Sequence, residues 1–228
     1  MLGVRLTFVS GRWSLSSSVP CSERHSFSYN LACVRPDYTD GACAEPSAMS
    51  EANTVPLPEV WLRGPLPDVI RVLQPAAHAL LQSAEDIERA AASLTSDELW
   101  VRPGGAASAG FHLQHIAGSI DRLLTYARRE QLDEVQRKAL AAEGEPGDPR
   151  ADASVLAHRA ISSIGIALDT IRGTTSDSAA EPRSVGRANL PSTLGGLLFH
   201  IAEHTQRHTG QLITTGRIVR GLGLGGWH

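Results

Sequence analysis

The chain has 228 residues, of which 42% are apolar and 20% are charged, and its formal net charge is -3. This composition is typical of a globular protein that is long enough to bury a hydrophobic core. The sequence contains no run of basic residues, so nucleic-acid binding is not expected. It also contains no stretch of roughly 18 consecutive apolar residues, so no membrane span is expected.

Residues 1–48 differ in character from the rest of the chain. All three cysteines, Cys21, Cys33 and Cys43, lie in this segment, which excludes a disulfide framework or a cysteine nucleophile from the remainder. The segment is rich in serine and has no hydrophobic periodicity, and Met49 would make a plausible start codon. We predict that residues 1–48 are a disordered or non-native extension, with a secretory or transit signal as the alternative.

From residue 55 onward the hydrophobic spacing predicts helices. A proline-rich, extended lead-in comes first, and a short helix and a loop follow the second long helix. Four long amphipathic helices are predicted over residues 68–94, 108–130, 151–173 and 191–221. We find no persuasive strand pattern. The sequence therefore predicts an all-α domain over residues 55–222, built as a four-helix bundle.

Three histidines, His200, His204 and His208, follow one another at four-residue intervals in the last predicted helix. A step of four residues turns a helix by about 400° and rises about 6 Å, so neighbouring histidines share one face. At that spacing two imidazoles can bind one metal ion. The outer two are about 12 Å apart along the axis, so the useful pair is either His200 with His204 or His204 with His208.

A further histidine pair, His112 and His115, lies in the second long helix. His115 sits between apolar residues and can face the interior, whereas His112 is expected nearer the edge of the buried face. Three neutral imidazoles would leave a coordination position of a divalent ion open, where water or a thiol could be activated. The alternative is that these histidines are ordinary polar core or surface residues, because an HxxxH pair alone is a weak motif.

Two separated motifs, FHLQHIAGSIDRLLTYARRE and HTQRHTGQL, resemble signatures of the DinB-like superfamily, and the likeness spans residues 57–222. The resemblance implies a four-helix bundle with a crossed-over connection, often assembled as a homodimer. It also implies a divalent metal ion, such as Zn, Ni or Fe, held by three histidines. Carried onto this sequence, the ligands implied are His115, His204 and His208.

The resemblance also suggests roles for residues beside these ligands. His200, one turn from the ligand pair, is the best candidate for a catalytic base. Gln211 and Ser119 are expected to line the pocket or to hydrogen-bond a bound ligand. Glu203 is expected to be solvated, and Arg122 is expected to be a surface charge or a partner in a salt bridge.

Members of that family include transferases and isomerases that use small thiols, and others are regarded as metal-dependent hydrolases. The resemblance therefore implies a metal-dependent S-transferase or hydrolase that acts on a small molecule, with a low-molecular-weight thiol as the expected co-substrate. The alternative is a non-catalytic metal-binding scaffold of the DNA-damage-inducible type. Neither a nucleic acid nor a membrane is expected as a partner, and the cysteine-free domain fits a cytoplasmic location.

Overall fold

A computed structural model describes residues 5–9, 12–16, 57–147 and 150–225 of the chain. The chain divides into two compact units, Met1–Asn53 and Thr54–His228. In the first unit, strand β1 (Arg5–Val9) pairs antiparallel with strand β2 (Arg12–Ser16). The rest of the extension predicted over residues 1–48 lies outside the described residues.

The second unit is mostly helical, which confirms the predicted all-α class. Its elements, apart from single 3-10 turns, are α1 (Gln74–Ala91), α2 (Ser96–Leu99), α3 (Ala109–Ala127), α4 (Glu134–Ala142), α5 (Ala153–Arg172), α6 (Ser176–Ala179), β3 (Pro182–Val185), β4 (Leu190–Thr193) and α7 (Leu194–Gly221). Within the described ranges, no helix is both long enough and apolar enough to cross a membrane.

Side-chain caps determine where three of the long helices begin. Ser108, Asp152 and Thr193 each accept a hydrogen bond from the backbone N–H three residues later, at the starts of α3, α5 and α7. Such caps satisfy N–H groups that have no partner within the helix. Helix α1 has Pro75 in its first turn instead, where proline is tolerated because that N–H needs no partner. The four predicted long helices are present, each somewhat shorter than predicted.

The four long helices enclose one hydrophobic core. Helices α1 and α3 each pack against both α5 and α7, whereas contacts between α5 and α7 are few. Helices that follow one another in sequence, α1 to α3 and α5 to α7, therefore lie diagonally across the core. The largest fully buried side chains include Leu80, Ile87, Leu113, Ile116, Ile120, Ile164, Leu198 and Ile201. Amphipathic spacing predicts which face of a helix is buried, but it does not determine which helix lies next to it.

The connection between α5 and α7 contains a hairpin that the sequence pattern did not predict. Strands β3 and β4 pair antiparallel, and their turn uses Gly186 and Asn189 with φ angles of 67° and 51°. The buried residue of β3 is Arg183, whose Nε donates to the carbonyl of Ala127 at the end of α3, 2.6 Å away. A strand whose inward residue is charged lacks the apolar alternation by which strands are predicted.

Candidate metal centre

Helices α3 and α7 bring together three histidines that are far apart in the sequence. The Nε2 atoms of His115 and His204 are 2.9 Å apart, and the ring centroids of His115 and His208 are 4.4 Å apart. One nitrogen from each of His115, His204 and His208 lies within 4.8 Å of the other two. Nitrogen ligands of one tetrahedral zinc ion are about 3.4 Å apart, so small side-chain adjustments would let these three rings hold a divalent ion.

A carboxylate fixes the orientation of the His115 ring. Oε2 of Glu143 lies 2.7 Å from Nδ1 of His115, while Oε1 accepts a hydrogen bond from Nη1 of Arg122 at 2.6 Å. Because an ionised carboxylate can only accept, Nδ1 of His115 carries the proton. In the neutral ring Nε2 then keeps its lone pair, and this is the atom that faces His204.

His112 supports His208 in a similar way. The Nδ1 atoms of the two rings are 3.0 Å apart, so one of them donates to the other. When Nδ1 of His208 is the donor and Nδ1 of His112 accepts, Nε2 of neutral His208 keeps its lone pair for a metal. His112 is only 4% exposed, so the expectation that it lies at the edge of the buried face is wrong. It lies on the helical stripe of Ala109 and Ile116, which faces the core.

The histidine cluster favours neutral imidazoles. Burial, together with the nearby His115, lowers the pKa of His112 to about 4. Burial and the neighbouring histidines lower the pKa of His208 to about 3, and the same causes lower the pKa of His204. Neutral imidazole is the form that binds metal. Nδ1 of His204 is buried and has no hydrogen-bond partner among the described residues, so protein groups alone do not satisfy the cluster.

His200 lies at the exposed rim of this cluster. Its ring centroid is 5.3 Å from that of His204, and its side chain is 48% exposed. Nδ1 of His200 lies 2.7 Å from Oε1 of Glu203, and the other oxygen of Glu203 accepts from Arg207 at 2.7 Å. Glu203, which is expected from the sequence to be solvated, is half-buried and pairs with both His200 and Arg207. Nε2 of His200 has no hydrogen-bond partner among the described residues.

An aromatic side chain packs along one side of the histidines. The ring of Phe111 stacks on His115 with centroids 5.2 Å apart and an interplanar angle of 14°. It meets His112 and His208 edge-on, at 5.3 Å and 6.3 Å. Phe111 is only partly buried, so a molecule that approaches the histidines would meet an apolar aromatic surface.

Ser119 and Gln211, the two residues predicted to line the pocket, make no side-chain hydrogen bond to the histidines in the part of the chain that the structure describes. Ser119 is buried, and its hydroxyl donates to the carbonyl of Ile116 at 3.1 Å, within its own helix. Gln211 is exposed, and its side chain makes no hydrogen bond to another residue that the structure describes. Their predicted roles at the pocket stay predictions.

Reasoning from the sequence missed Glu143 and misjudged the burial of Arg122. Arg122 is a salt-bridge partner, as expected, but it is only 8% exposed. Glu143 lies 28 positions from His115, in a polar connection where no local pattern indicates a contact. The one available signal is Gly118 in the interior of α3, because a Cβ at that position would clash with Oε1 of Glu143.

Fold and site together define a helical protein with a candidate three-histidine centre for a divalent metal. Residues 79–212 match the family model of the DinB superfamily, and this range contains His115, His204 and His208. The match covers more than half of the chain, so the chain belongs to the DinB superfamily, as its motifs predict. No curated protein sequence matches the chain.

Proposed function

We propose that this protein binds one divalent metal ion through His115, His204 and His208 and is a metal-dependent enzyme of the S-transferase or hydrolase type. The observation that carries the proposal is that one nitrogen from each of these histidines lies within 4.8 Å of the other two. Three imidazoles leave at least one coordination position for a substrate. Imidazole suits Zn, Ni and Fe alike, so the donor set fits all three.

Residues of the chain prepare the ligands for a metal. Glu143 and His112 contact the Nδ1 atoms of His115 and His208, and where these Nδ1 atoms donate, the Nε2 atoms keep their lone pairs for the metal. The lowered pKa values of His112 and His208 keep these rings neutral at pH 7, so no proton has to be displaced from them. The metal would lower the pKa of a thiol or a water molecule bound at the open position.

We assign the role of base to His200. The carboxylate of Glu203, 2.7 Å from Nδ1, favours the tautomer whose Nε2 accepts a proton, and it stabilises the charged ring that results. His200 is exposed beside His204, so it can take a proton from a thiol or a water that enters there. This arrangement suits general-base catalysis, in which the base must reach the proton that it removes.

The partly exposed ring of Phe111 beside the histidines favours a small substrate with an apolar portion. Phe111 is partly exposed and stacks on His115, so an apolar group placed next to the metal would pack on its ring. We therefore propose a small thiol or water as the nucleophile and a small electrophile with an apolar portion as the second substrate. A scaffold that only stores metal would have no use for the base at His200.

Metal analysis tests the first half of the proposal. Protein purified without an affinity tag, then analysed by plasma mass spectrometry, should hold about one divalent ion per chain, as a three-imidazole site requires. Protein that stays free of metal, even after incubation with Zn²⁺, Ni²⁺ or Fe²⁺, would contradict it.

An activity screen tests the second half. Low-molecular-weight thiols would be offered together with small electrophiles, and activated esters would be offered alone, each with and without a chelator. We expect turnover that the chelator abolishes and added metal restores. Full metal occupancy without chelator-sensitive turnover in either assay would favour the non-catalytic scaffold.

A further inference from the structure

We infer that Glu143 is a positioning residue, which holds the His115 ring with Nε2 toward His204 and thereby ties the connection between α3 and α5 to the metal site. The inference rests on the proposed role of His115 as a ligand. It goes beyond that role because it assigns a task to a part of the chain that contributes no ligand.

Burial singles out Glu143 within its segment. It is 5% exposed, and every other residue from 128 to 147 is half-buried or exposed, including all of α4. A connection normally attaches to a core through apolar side chains, because burying a carboxylate is unfavourable unless it is well paired. Here the buried anchor is a charge, which indicates that the carboxylate itself is needed.

The two carboxylate oxygens have separate partners on the same helix. Oε1 contacts Arg122 at 2.6 Å, and Oε2 contacts His115 at 2.7 Å. His115 and Arg122 are seven positions apart, about two helical turns, so they lie on one face of α3. The ion pair with Arg122, which is 8% exposed, keeps the carboxylate from rotating away from His115.

A glycine makes room for this contact. Gly118 lies between His115 and Arg122 on α3, and a Cβ there would clash with Oε1 of Glu143 and lie 2.7 Å from Nη1 of Arg122. Glycine weakens a helix interior relative to alanine. Its presence at position 118 is explained if the carboxylate must come this close to the helix.

Polar contacts hold the rest of the connection against α3. Nε2 of Gln114 donates to the carbonyl of Glu145 at 2.7 Å, and Nε2 of Gln136 lies 2.7 Å from both Asp121 Oδ2 and Thr125 Oγ1. Helix α4 adds no buried side chain to this attachment. The orientation of His115 therefore depends on a segment that is docked by hydrogen bonds and by one buried carboxylate.

The test compares the wild-type protein with Glu143→Gln, Gly118→Ala and a control, Glu85→Gln. The control removes the charge of Glu85, a carboxylate on α1 whose two oxygens pair with Arg63 and not with the histidines. In metal-free protein, long-range ¹H–¹⁵N NMR spectra report which nitrogen of each histidine carries the proton. The affinity for Co²⁺ is then measured by visible absorption in competition with a chelator.

In the wild type and in Glu85→Gln we expect a single His115 tautomer with the proton on Nδ1. In Glu143→Gln and Gly118→Ala this preference should weaken, and Co²⁺ should bind roughly 10- to 100-fold more weakly, as for other supports of metal ligands. The Co²⁺ absorption bands should also shift. Gly118→Ala is the milder variant, because its Cβ would press on the ends of the Glu143 and Arg122 side chains while alanine itself favours the helix.

The inference is overturned if the wild type lacks the Nδ1 tautomer of His115, or if Glu143→Gln keeps that tautomer and binds Co²⁺ within threefold of the wild type. It is also overturned if Glu85→Gln weakens Co²⁺ binding as much as the two site variants do. A wild-type protein that binds no Co²⁺ would contradict the proposed metal binding and not the role of Glu143. In that case the tautomer of His115 in metal-free protein would still test whether Glu143 orients this ring.

Discussion

The Nε2 atoms of His115 and His204 lie 2.9 Å apart, although 89 positions separate the two residues. At this distance a proton on one nitrogen must point to the lone pair of the other. Because His115 carries its proton on Nδ1 and donates it in a hydrogen bond to Glu143, its Nε2 accepts, and the proton between the two Nε2 atoms belongs to His204. A metal ion would take the place of that proton, so the pairing of α3 with α7 decides whether the site exists.

Removal of one ligand should abolish stoichiometric metal binding. We expect His208→Ala to hold less than about one tenth of an equivalent of metal, because two imidazoles without a third ligand form a weak site. Plasma mass spectrometry would measure the metal, and circular dichroism would show that the helices are intact. His158→Ala, an exposed position on α5, is the control. Full occupancy in His208→Ala would rule out the ligand set.

Replacement of His112 should weaken metal binding without abolishing it. His112→Leu removes the partner of Nδ1 on His208, so we expect metal affinity to fall about 10-fold. His112→Asn places an amide oxygen near the position of Nδ1 and should retain most of the affinity. Isothermal titration with Zn²⁺ would measure both variants. Equal affinities for the Leu and Asn variants would show that the contact with His208 is unimportant.

Acid should destabilise the metal-free protein. The pKa of His112 is about 4 and that of His208 about 3 in the folded protein, while in the unfolded chain both titrate near 6.5. Below about pH 6.5 the unfolded state binds protons that the folded state does not, so stability falls as the pH falls toward 4. Each such histidine contributes at most about 1.4 kcal/mol per pH unit.

Urea denaturation at pH 7, 6, 5 and 4.5, in the presence of a chelator, would measure this dependence. His112→Asn should show a smaller loss of stability over the same range, because it removes one of the histidines whose pKa is lowered in the folded protein. His78→Asn is the control, because the ring of His78 lies against the Gly64 carbonyl and outside the histidine cluster. Its loss of stability with falling pH should match that of the wild type. A stability that stays constant from pH 7 to 4.5 would contradict the prediction.

Two glycine variants should have opposite effects on stability. A Cβ on Gly110 would lie 2.9 Å from three ring atoms of Trp100, so Gly110→Ala should destabilise the fold by about 1–3 kcal/mol through overpacking. A Cβ on Gly165, in the interior of α5, meets nothing within 4 Å, so Gly165→Ala should stabilise it by about 0.5–1 kcal/mol. Urea denaturation measures both variants. A stabilising Gly110→Ala would count against the packing of α3 on Trp100, and a destabilising Gly165→Ala would count against open space at that position.

Loss of the proposed base should lower turnover while metal content is unchanged. In whichever assay responds to chelator, His200→Gln should reduce kcat by about 10²- to 10⁴-fold, the usual contribution of a general base. Plasma mass spectrometry on the same sample would show full occupancy. His78→Gln should keep wild-type turnover. Unchanged kcat in His200→Gln would remove this residue from the mechanism.

Local spacing accounts for most of what could be predicted about the helices. The core-facing residues of α7, such as Leu198, Ile201 and Leu212, recur at helical intervals, and the pairing of His204 with His208 on one face follows from the same geometry. The hairpin in the connection before α7 escaped prediction because its inward residue is Arg183. Its strands are stabilised by contacts with other elements rather than by their own pattern.

The sequence by itself determined the helices, the shared face of the α7 histidines and, through its motifs, the three expected ligands. Only the tertiary structure decided that α1 lies diagonal to α3, that His112 is buried against His208, and that Glu143 reaches His115 across 28 positions. The physical reason is the distance along the sequence over which each kind of interaction acts. Helical periodicity acts between residues three or four positions apart, whereas these contacts depend on how separate elements pack, and no local pattern of side chains encodes that.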